Sequence, residues 1–253
     1  MLSVKSLQDT EVLEADKRDR WFQSICASNQ LPVNKPQADL LQRYVAHLLD
    51  WNRKVNLISR KDEQNIWERH ILHSVSLLFH VSFDAGARIL DLGTGGGLPG
   101  IPIKILSPQI SLTLIDSIRK KIVAVADIAR KLSLTDVKVE CGRAEELANR
   151  EEFRRQFDYV IARGVANLNK LVKWSFPFLR ARKFELDFSS NTDSKTFIRS
   201  PALIAMKGGN LEVEIMSALK DKDVKDIKAI NLSFEGLDRT HDPDRKAVIV
   251  FFR

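Results

Sequence analysis

The sequence contains little cysteine and histidine and has no long apolar run. Its two cysteines, Cys26 and Cys141, are too few for the disulfide framework of a small secreted protein. Five histidines offer no recognisable zinc spacing, so no metal site is predicted. No apolar stretch approaches the roughly 20 residues that a membrane-spanning helix needs, and the N-terminal residues lack the apolar segment of a secretory signal. These absences predict a cytoplasmic protein with no membrane association.

The composition is that of a folded protein with a basic surface. Hydrophobic residues make up 44% of the 253 residues and charged residues 29%, which provides for a sizeable core and argues against wholesale disorder. This length suits one large domain, or one domain with a smaller appendage. The 40 Lys and Arg against 33 Asp and Glu give a net charge of +7. Such a charge suits a polyanionic partner such as nucleic acid, although it also serves solubility.

The apolar pattern divides the chain near Ala85. Residues 1–30 are charged and weakly patterned, and we expect a frayed N-terminal extension there. A helical cap is predicted over residues 31–85. Within it, one amphipathic helix begins near Pro36 and a second runs from about Asp62 to Leu78, because apolar residues recur at intervals of three and four.

Strands and helices alternate from Arg88 onward, which predicts right-handed crossovers and a parallel sheet in an α/β domain over residues 86–253. The last two strands have no helix between them and are predicted to pair antiparallel at the sheet edge. A polar stretch at about residues 181–200 is predicted to be an exposed loop. The predicted strands are Arg88–Leu92, Ser111–Asp116, Val137–Glu140, Tyr159–Ala162, Ala202–Met206, Ile227–Phe234 and Ala247–Phe252, and the predicted helices among them are Arg119–Leu132 and Asn169–Leu179.

A glycine-rich loop directly follows the first of these strands. It begins at Asp91 and holds five glycines, a composition that lets the backbone turn sharply or lie against a ligand. Gly95, Gly97 and Gly100 match the spacing of a dinucleotide-binding loop, and Asp116 at the end of the next strand is placed to bind a ribose. S-adenosylmethionine needs a similar loop and acid but carries positive charge, whereas NAD carries a pyrophosphate. Asp91 would repel the pyrophosphate and attract the methionine ammonium, directly or through water, so charge favours S-adenosylmethionine.

Two further side chains follow the ends of later strands. Glu145 comes after the third strand, where the adenine is expected, although its spacing also suits a residue that caps the next turn. Arg163 ends the fourth strand and is expected to face the same cleft, because ligands in such sheets bind beyond the carboxyl ends of the strands. A surface ion pair is the alternative for Arg163.

Taken together, these residues resemble the bacterial 16S ribosomal RNA guanine-N7 methyltransferase family, called RsmG or GidB. The resemblance covers roughly Leu31 to Arg253 and depends on several blocks in a fixed order. Of these, the loop ending in Leu98-Pro99-Gly100 is more specific than glycine spacing alone. The blocks are Trp51 to Leu57, Arg69-His70-Ile71-Leu72, Asp91 to Gly100, Asp116-Ser117, Arg143-Ala144-Glu145-Glu146, Phe157-Asp158 through Arg163, and Met206-Lys207-Gly208-Gly209.

The resemblance implies a Rossmann-like class I S-adenosylmethionine-dependent methyltransferase fold, with a mostly parallel seven-stranded sheet and an N-terminal helical cap. It implies that the enzyme transfers a methyl group from S-adenosylmethionine to N7 of a guanine in 16S ribosomal RNA of the small subunit. The implied cofactor contacts are Gly93, Gly95, Leu98, Asp116, Ala144, Glu145 and Arg163. We expect a monomer. One departure from the family is His73, which stands where an aspartate is usual.

Guanine N7 has a lone pair and no proton, so no general base is required and no catalytic residue is assigned. The expected task of the protein is to position the reactants and exclude water. Contacts with RNA phosphates are expected at Arg69, His70 and Lys207 among other basic residues. The alternatives are a methyltransferase acting on another RNA, a cofactor-binding protein without catalysis, and an NAD-dependent dehydrogenase.

Overall fold

A seven-stranded sheet forms the centre of the protein. The structure, a computed structural model, describes residues 17–181, 196–197, 200–236 and 244–253. The strands are β1 (Val81–Ser82), β2 (Arg88–Leu92), β3 (Ser111–Asp116), β4 (Val137–Cys141), β5 (Tyr159–Arg163), β6 (Thr196–Phe197), β7 (Ala202–Lys207), β8 (Val224–Asn231) and β9 (Lys246–Phe252). The sheet has the order β4-β3-β2-β5-β7-β9-β8, and β1 pairs separately with β6. Strands β2, β3, β4, β5 and β7 are parallel, whereas β9 is antiparallel to β7 and β8. The predicted fold class is confirmed, as is the antiparallel pairing of the last two strands.

The helices cover both faces of the sheet. They are α1 (residues 17–28), α2 (Lys35–Asn52), α3 (His73–Val75), α4 (Leu77–His80), α5 (Gly100–Leu106), α6 (Arg119–Lys131), α7 (Ala144–Leu147), α8 (Leu168–Ser175) and α9 (Glu212–Ala218). Short 3₁₀ helices span Arg60–Asn65 and Phe176–Phe178, and a π-helix spans Trp67–Leu72. Because helices lie on both sides, the central strands are buried on both faces and consist mainly of apolar residues.

Helix α2 begins where the sequence predicts. Asn34 and Gln37 form a reciprocal capping box, and Pro36 stands in the first turn, where its missing N–H costs nothing. The buried face of α2 includes Tyr44, whose hydroxyl donates to the carbonyl oxygen of Gly96 at 2.9 Å. A buried phenol needs such a partner. This hydrogen bond therefore joins the N-terminal helices directly to the glycine loop.

The segment predicted as a helix from about Asp62 to Leu78 is helical, but it is divided into a 3₁₀ helix, the π-helix, α3 and α4 and does not form one regular α-helix. The hydroxyl of Ser74 donates back to the carbonyl of His70, and the Arg163 side chain donates to the carbonyls of Arg69 and His70. Side chains that hydrogen-bond to main-chain carbonyls compete with the backbone hydrogen bonds of a regular α-helix and disturb its pattern. Ser74 belongs to the segment itself, whereas Arg163 comes from β5, so the sequence of the segment alone contains only one of these two partners.

The frayed extension expected before Gln30 is wrong for residues 17–28, which form α1. Phe22, Ile25 and Cys26 are buried at helical spacing, and the Phe22 ring meets Trp67 edge to face with centroids 5.4 Å apart. These contacts make α1 part of the same core that α2 and the sheet share. The apolar positions are few and set among charges, so the sequence pattern did not reveal them.

The remaining differences are local. The predicted helix from Asn169 to Leu179 ends at Ser175, because Pro177 cannot continue the hydrogen-bond ladder. The next-to-last strand is shifted toward the N-terminus, to Val224–Asn231. Most of the loop predicted at 181–200 lies outside the described residues, although Thr196–Phe197 pairs with β1. The division at residues 30 and 85 stays a prediction. None of the helices in the described part of the chain is long and apolar enough to cross a membrane.

Replacing Phe22 with alanine should lower the free energy of unfolding by about 3–5 kcal/mol, because a large buried ring is removed from a packed core. Chemical denaturation followed by circular dichroism measures this change. The matched control is Ser24→Ala on the exposed face of α1, which should shift stability by no more than about 0.5 kcal/mol. Equal stabilities for the two variants would mean that α1 does not belong to the folded core.

Candidate functional site

A cavity of about 470 Å³ opens at the carboxyl ends of the parallel strands. Strand ends of this kind form the ligand crevice of open α/β sheets. Four of the predicted cofactor residues meet here although they come from separate segments. The lining is Leu92, Gly93, Ile115, Asp116, Ser117, Ile118, Lys121, Gly142, Arg143, Ala144, Glu145, Gly164, Val165 and Trp174.

The first glycine of the loop, Gly93, occupies a position that only glycine fits. Gly93 has φ +71°, a left-handed conformation, and a Cβ atom there would lie 2.7 Å from the Val165 side chain. Gly95 does not line the cavity, but its amide donates to Asp116 Oδ2 at 3.1 Å. Leu98 is buried in the core rather than exposed in the cavity. Gly95 and Leu98 thus support the loop from outside the cavity lining.

Asp116 joins the end of β3 to the cavity. Its Oδ2 accepts from the Gly95 amide and its Oδ1 accepts from the Ile118 amide at 2.9 Å. A carboxylate oxygen has more than one lone pair, so both oxygens retain capacity for further donors. Asp116 therefore fixes the loop and still presents acceptors to a ligand with hydroxyl groups.

Asp91 lies beneath the loop and is completely buried. Its Oδ2 accepts from the Thr94 hydroxyl at 2.8 Å and from the Gly100 amide at 2.9 Å, whereas its buried Oδ1 has no partner among the described residues. Burial raises the pKa of Asp91 to about 7, although both hydrogen bonds oppose the shift. Asp91 does not line the cavity, so its attraction for a ligand ammonium stays a prediction.

Arg163 turns away from this cavity and toward the π-helix. Its Nη1 donates to the His70 carbonyl (3.2 Å) and the Ser74 hydroxyl (3.0 Å), and its Nη2 donates to the Arg69 carbonyl (3.2 Å) and to His70 Nδ1 (2.7 Å). Guanidinium only donates, so Nδ1 of His70 is an acceptor and Nε2 carries the proton. Nε2 lies 3.4 Å from Asp62 Oδ2.

His70 is consequently a neutral internal group. Burial, followed by the charge of Arg163, lowers the pKa of His70 to about 4, which leaves its ring uncharged at pH 7. Arg69 forms an ion pair with Asp62 at 2.9 Å and is half exposed. The structure therefore brings together three predicted site residues, but it joins Arg163 to the two predicted RNA contacts rather than to the first cavity.

Lys207 is also partnered. Its Nζ lies 2.9 Å from Glu214 Oε2 and donates to the Ala166 carbonyl at 3.0 Å. Together with Arg163, Lys207 lines a second cavity of about 340 Å³, which shares Gly164 with the first. The described residues contain no group of His, Cys, Asp or Glu side chains arranged to hold a metal ion.

Sequence reasoning did not place Ile118, Lys121 or Trp174 in the first cavity, although it counted Lys121 among the basic candidates for RNA contact. Ile118 and Lys121 stand at the start of α6, shortly after Asp116 ends β3. Their position just beyond a strand end could have identified both as cavity residues. Trp174 comes from the last turn of α8, where nothing local distinguishes a cavity residue from a core residue. Glu214 in the second cavity was also missed.

Comparisons with known proteins agree on one family and one fold. The family described as rRNA small subunit methyltransferase G (GidB) matches residues 37–186. The protein named ribosomal RNA small subunit methyltransferase G of Chlorobium chlorochromatii is 37% identical over 199 residues, which cover 79% of this chain and 75% of that protein. The protein of the same name from Clostridium tetani is 32% identical over 202 residues, which cover 80% and 84%.

Solved structures are similar in fold alone. A predicted O-methyltransferase, Atu636 from Agrobacterium tumefaciens, has a TM-score of 0.51 and 12% identity over 72% of this chain and 80% of its own. A chain of the fibrillarin/NOP5P complex has a TM-score of 0.51 and 13% identity over 73% and 82%.

The buried carboxyl of Asp91 should make folding stability depend on pH. Its pKa rises from 3.8 to about 7 on folding, so the folded protein binds the proton more tightly. The free energy of unfolding should therefore fall by up to ~4 kcal/mol between about pH 4 and 7 and level off above that range. Asp91→Asn should remove this component, because an amide does not titrate.

The measurement is chemical denaturation of the wild-type and variant proteins across this pH range. The exposed Asp50 provides the control, since Asp50→Asn should keep the wild-type slope. If Asp91→Asn shows the same pH dependence as the wild type, then Asp91 does not hold its proton in the folded state.

Proposed function

The chain belongs to the rRNA small subunit methyltransferase G family, and on that premise we propose that it transfers the methyl group of S-adenosylmethionine to N7 of a guanine in 16S ribosomal RNA. The family that the sequence resembles is thus confirmed. The proposal is carried by the first cavity, where Gly93, Asp116 and Glu145 converge at the strand ends of a methyltransferase fold. Family membership also decides between the two cofactors that the glycine loop left open, in favour of S-adenosylmethionine over NAD.

The first cavity fits this cofactor in shape and chemistry. Gly93 forms a cradle that a Cβ atom would close, because Val165 packs against it. Asp116 retains acceptor capacity for ribose hydroxyls, and Glu145 offers an acceptor for the adenine amino group. A volume of about 470 Å³ lies within the usual range for small-molecule sites.

Methyl transfer to N7 requires little acid–base chemistry from the protein. When bound, S-adenosylmethionine supplies an electrophilic methyl group on a sulfonium. The acceptor nitrogen has its lone pair available, so the residues of this chain have only to hold the reactants in line and exclude water.

Ribosomal RNA, free or within the small subunit, is the acceptor that the family's function implies. Among the predicted RNA contacts, the half-exposed Arg69 is suited to a phosphate. His70 is neutral and Lys207 is paired, so both are better suited to positioning other side chains. A cytoplasmic location and a monomeric state stay predictions.

Incubation with labelled S-adenosylmethionine should transfer label to small-subunit RNA that lacks its native methylation. We expect nucleoside analysis to recover the label as 7-methylguanosine. Naked RNA and assembled subunits are tested in parallel, with the unlabelled cofactor raising the melting temperature of the protein as the binding control. Label in another nucleoside would overturn the N7 assignment. Binding without transfer to either substrate would favour another RNA or a protein without catalysis.

Glu145→Gln should weaken binding of S-adenosylmethionine about 5-fold, because a neutral amide is a poorer acceptor than a carboxylate. The neighbouring Glu146→Gln removes the same charge from an exposed residue that does not line the cavity, so its affinity should stay within about 2-fold of the wild type. Isothermal titration calorimetry measures both. Equal effects of the two substitutions would show that Glu145 acts only through its charge.

A further inference from the structure

The second cavity lies beside the first, on the far side of β5. The sheet order places β7 next to β5 and away from β2, β3 and β4, whose ends form the cofactor cavity. The two cavities meet at Gly164. Apolar side chains of Leu171 and Met206 line part of the second cavity, and its charged or titratable groups are His73, Arg163, Lys207, Glu214 and Arg245. Its volume of about 340 Å³ is sufficient for a small planar ligand.

The charged groups of two basic side chains in this cavity already have partners within the protein. Both terminal nitrogens of Arg163 donate to the helical cap, and Lys207 donates to Ala166 and pairs with Glu214. Two acceptors are in the opposite situation. The uncharged ring of His73 donates to the Arg69 backbone through its other nitrogen, so its Nε2 is an acceptor, and this atom is buried with no hydrogen-bond partner within the described ranges.

The second acceptor is Glu214. Its Oε2 accepts from Lys207 Nζ and from the Leu168 amide, both at 2.9 Å, and its Oε1 has no partner among the residues that the structure describes. Burial alone would raise the pKa of Glu214, but Lys207 and the Leu168 amide outweigh burial and hold the pKa below its usual value. The cavity therefore contains a fixed carboxylate with one oxygen available.

Guanine presents the complementary pattern. Its N1–H and 2-amino group are adjacent donors on the Watson–Crick edge, whereas N7 lies on the opposite side of the purine. Enzymes that modify a base read the extruded base by hydrogen bonds to this edge. When N7 faces Gly164 and the cofactor cavity, the Watson–Crick edge faces the β7 side, from which α9 carries Glu214. Adenine has an acceptor at N1 and no 2-amino group, so a carboxylate rejects it.

We propose that the second cavity receives the target guanine and that Glu214 selects it, with Oε1 accepting from N1–H and the 2-amino group. This inference depends on the proposed function, because it assigns the recognition of the base within the same reaction. Lys207 is then a positioning residue that holds the Glu214 carboxylate, and not a phosphate contact.

The test compares guanosine with inosine at the methylated position. Inosine retains N7, O6 and N1–H but lacks the 2-amino group, so it removes one donor and leaves the reacting atom unchanged. Small subunits are reconstituted with 16S ribosomal RNA that carries either nucleoside at the position mapped for the wild-type enzyme. Each is assayed for kcat/KM with the wild type, with Glu214→Gln and with the control Glu212→Gln, which alters an exposed carboxylate on the same helix outside the cavity.

We expect the wild type and Glu212→Gln to methylate the inosine substrate roughly 10- to 100-fold more slowly than the guanosine substrate, as for loss of a hydrogen bond to a charged group. Glu214→Gln should lose about 10-fold or more on guanosine and discriminate between the two by no more than about 3-fold. Its affinity for S-adenosylmethionine and its melting temperature should stay close to those of the wild type, which separates base recognition from a general structural defect.

Two results would overturn this inference while leaving the proposed function intact. One is a wild-type enzyme that methylates N7 of guanosine and inosine equally well, which needs no variant and so does not depend on the folding of Glu214→Gln. The other is a Glu214→Gln enzyme that keeps the full wild-type discrimination. A wild-type enzyme that binds cofactor but methylates no guanine N7 would overturn the proposed function and this inference together.

Discussion

The Arg163 guanidinium is the interaction on which the arrangement of both cavities depends. A charged group in a partly buried position is costly unless its donors are satisfied. Arg163 meets this requirement with four hydrogen bonds to one short segment, through the carbonyls of Arg69 and His70, the Ser74 hydroxyl and the His70 ring. The end of β5 and the π-helix are thereby fixed to each other. Gly164, the residue next in the chain, is the point where the two cavities meet.

Two aspartates hold the glycine loop from different sides, one at the edge of the cavity and one buried in the core. Asp116 lies at the edge of the cavity and accepts from the loop and from the start of α6. Asp91 lies below the loop in the core, where burial raises its pKa to about 7. Both carboxylates accept from backbone amides. These hydrogen bonds hold the glycine loop in place where it forms no regular helix or strand. Tyr44 completes the support by donating to the Gly96 carbonyl from α2.

The sequence was sufficient for features that depend on local pattern and insufficient for those that depend on distant partners. The strand β2 was predicted with its bounds, because apolar runs between turn residues mark buried parallel strands. Asp116 and Glu145 were placed together because parallel strands end at one edge of a sheet. The π-helix was not predicted, since Arg163, which donates to two of its carbonyls, lies far along the chain. Glu214 was missed because its helix, α9, is short and exposes large apolar side chains at Val213 and Met216, so no amphipathic pattern identified it.

The Glu214 carboxylate suits a base that becomes positive as it reacts, and it is the one acidic group beside three cations, Arg163, Lys207 and Arg245, in the described lining of the second cavity. Attack by N7 moves the positive charge of the sulfonium onto the purine and strengthens N1–H as a donor. A carboxylate that accepts from this edge therefore binds the transition state more tightly than the neutral base, and this difference accelerates the reaction. The neighbouring histidines do not oppose it. Burial and Arg163 lower the pKa of His70 to about 4 and that of His73 well below its usual value, so neither ring adds positive charge at pH 7. Glu214 thus has a physical reason to contribute to rate as well as to selectivity.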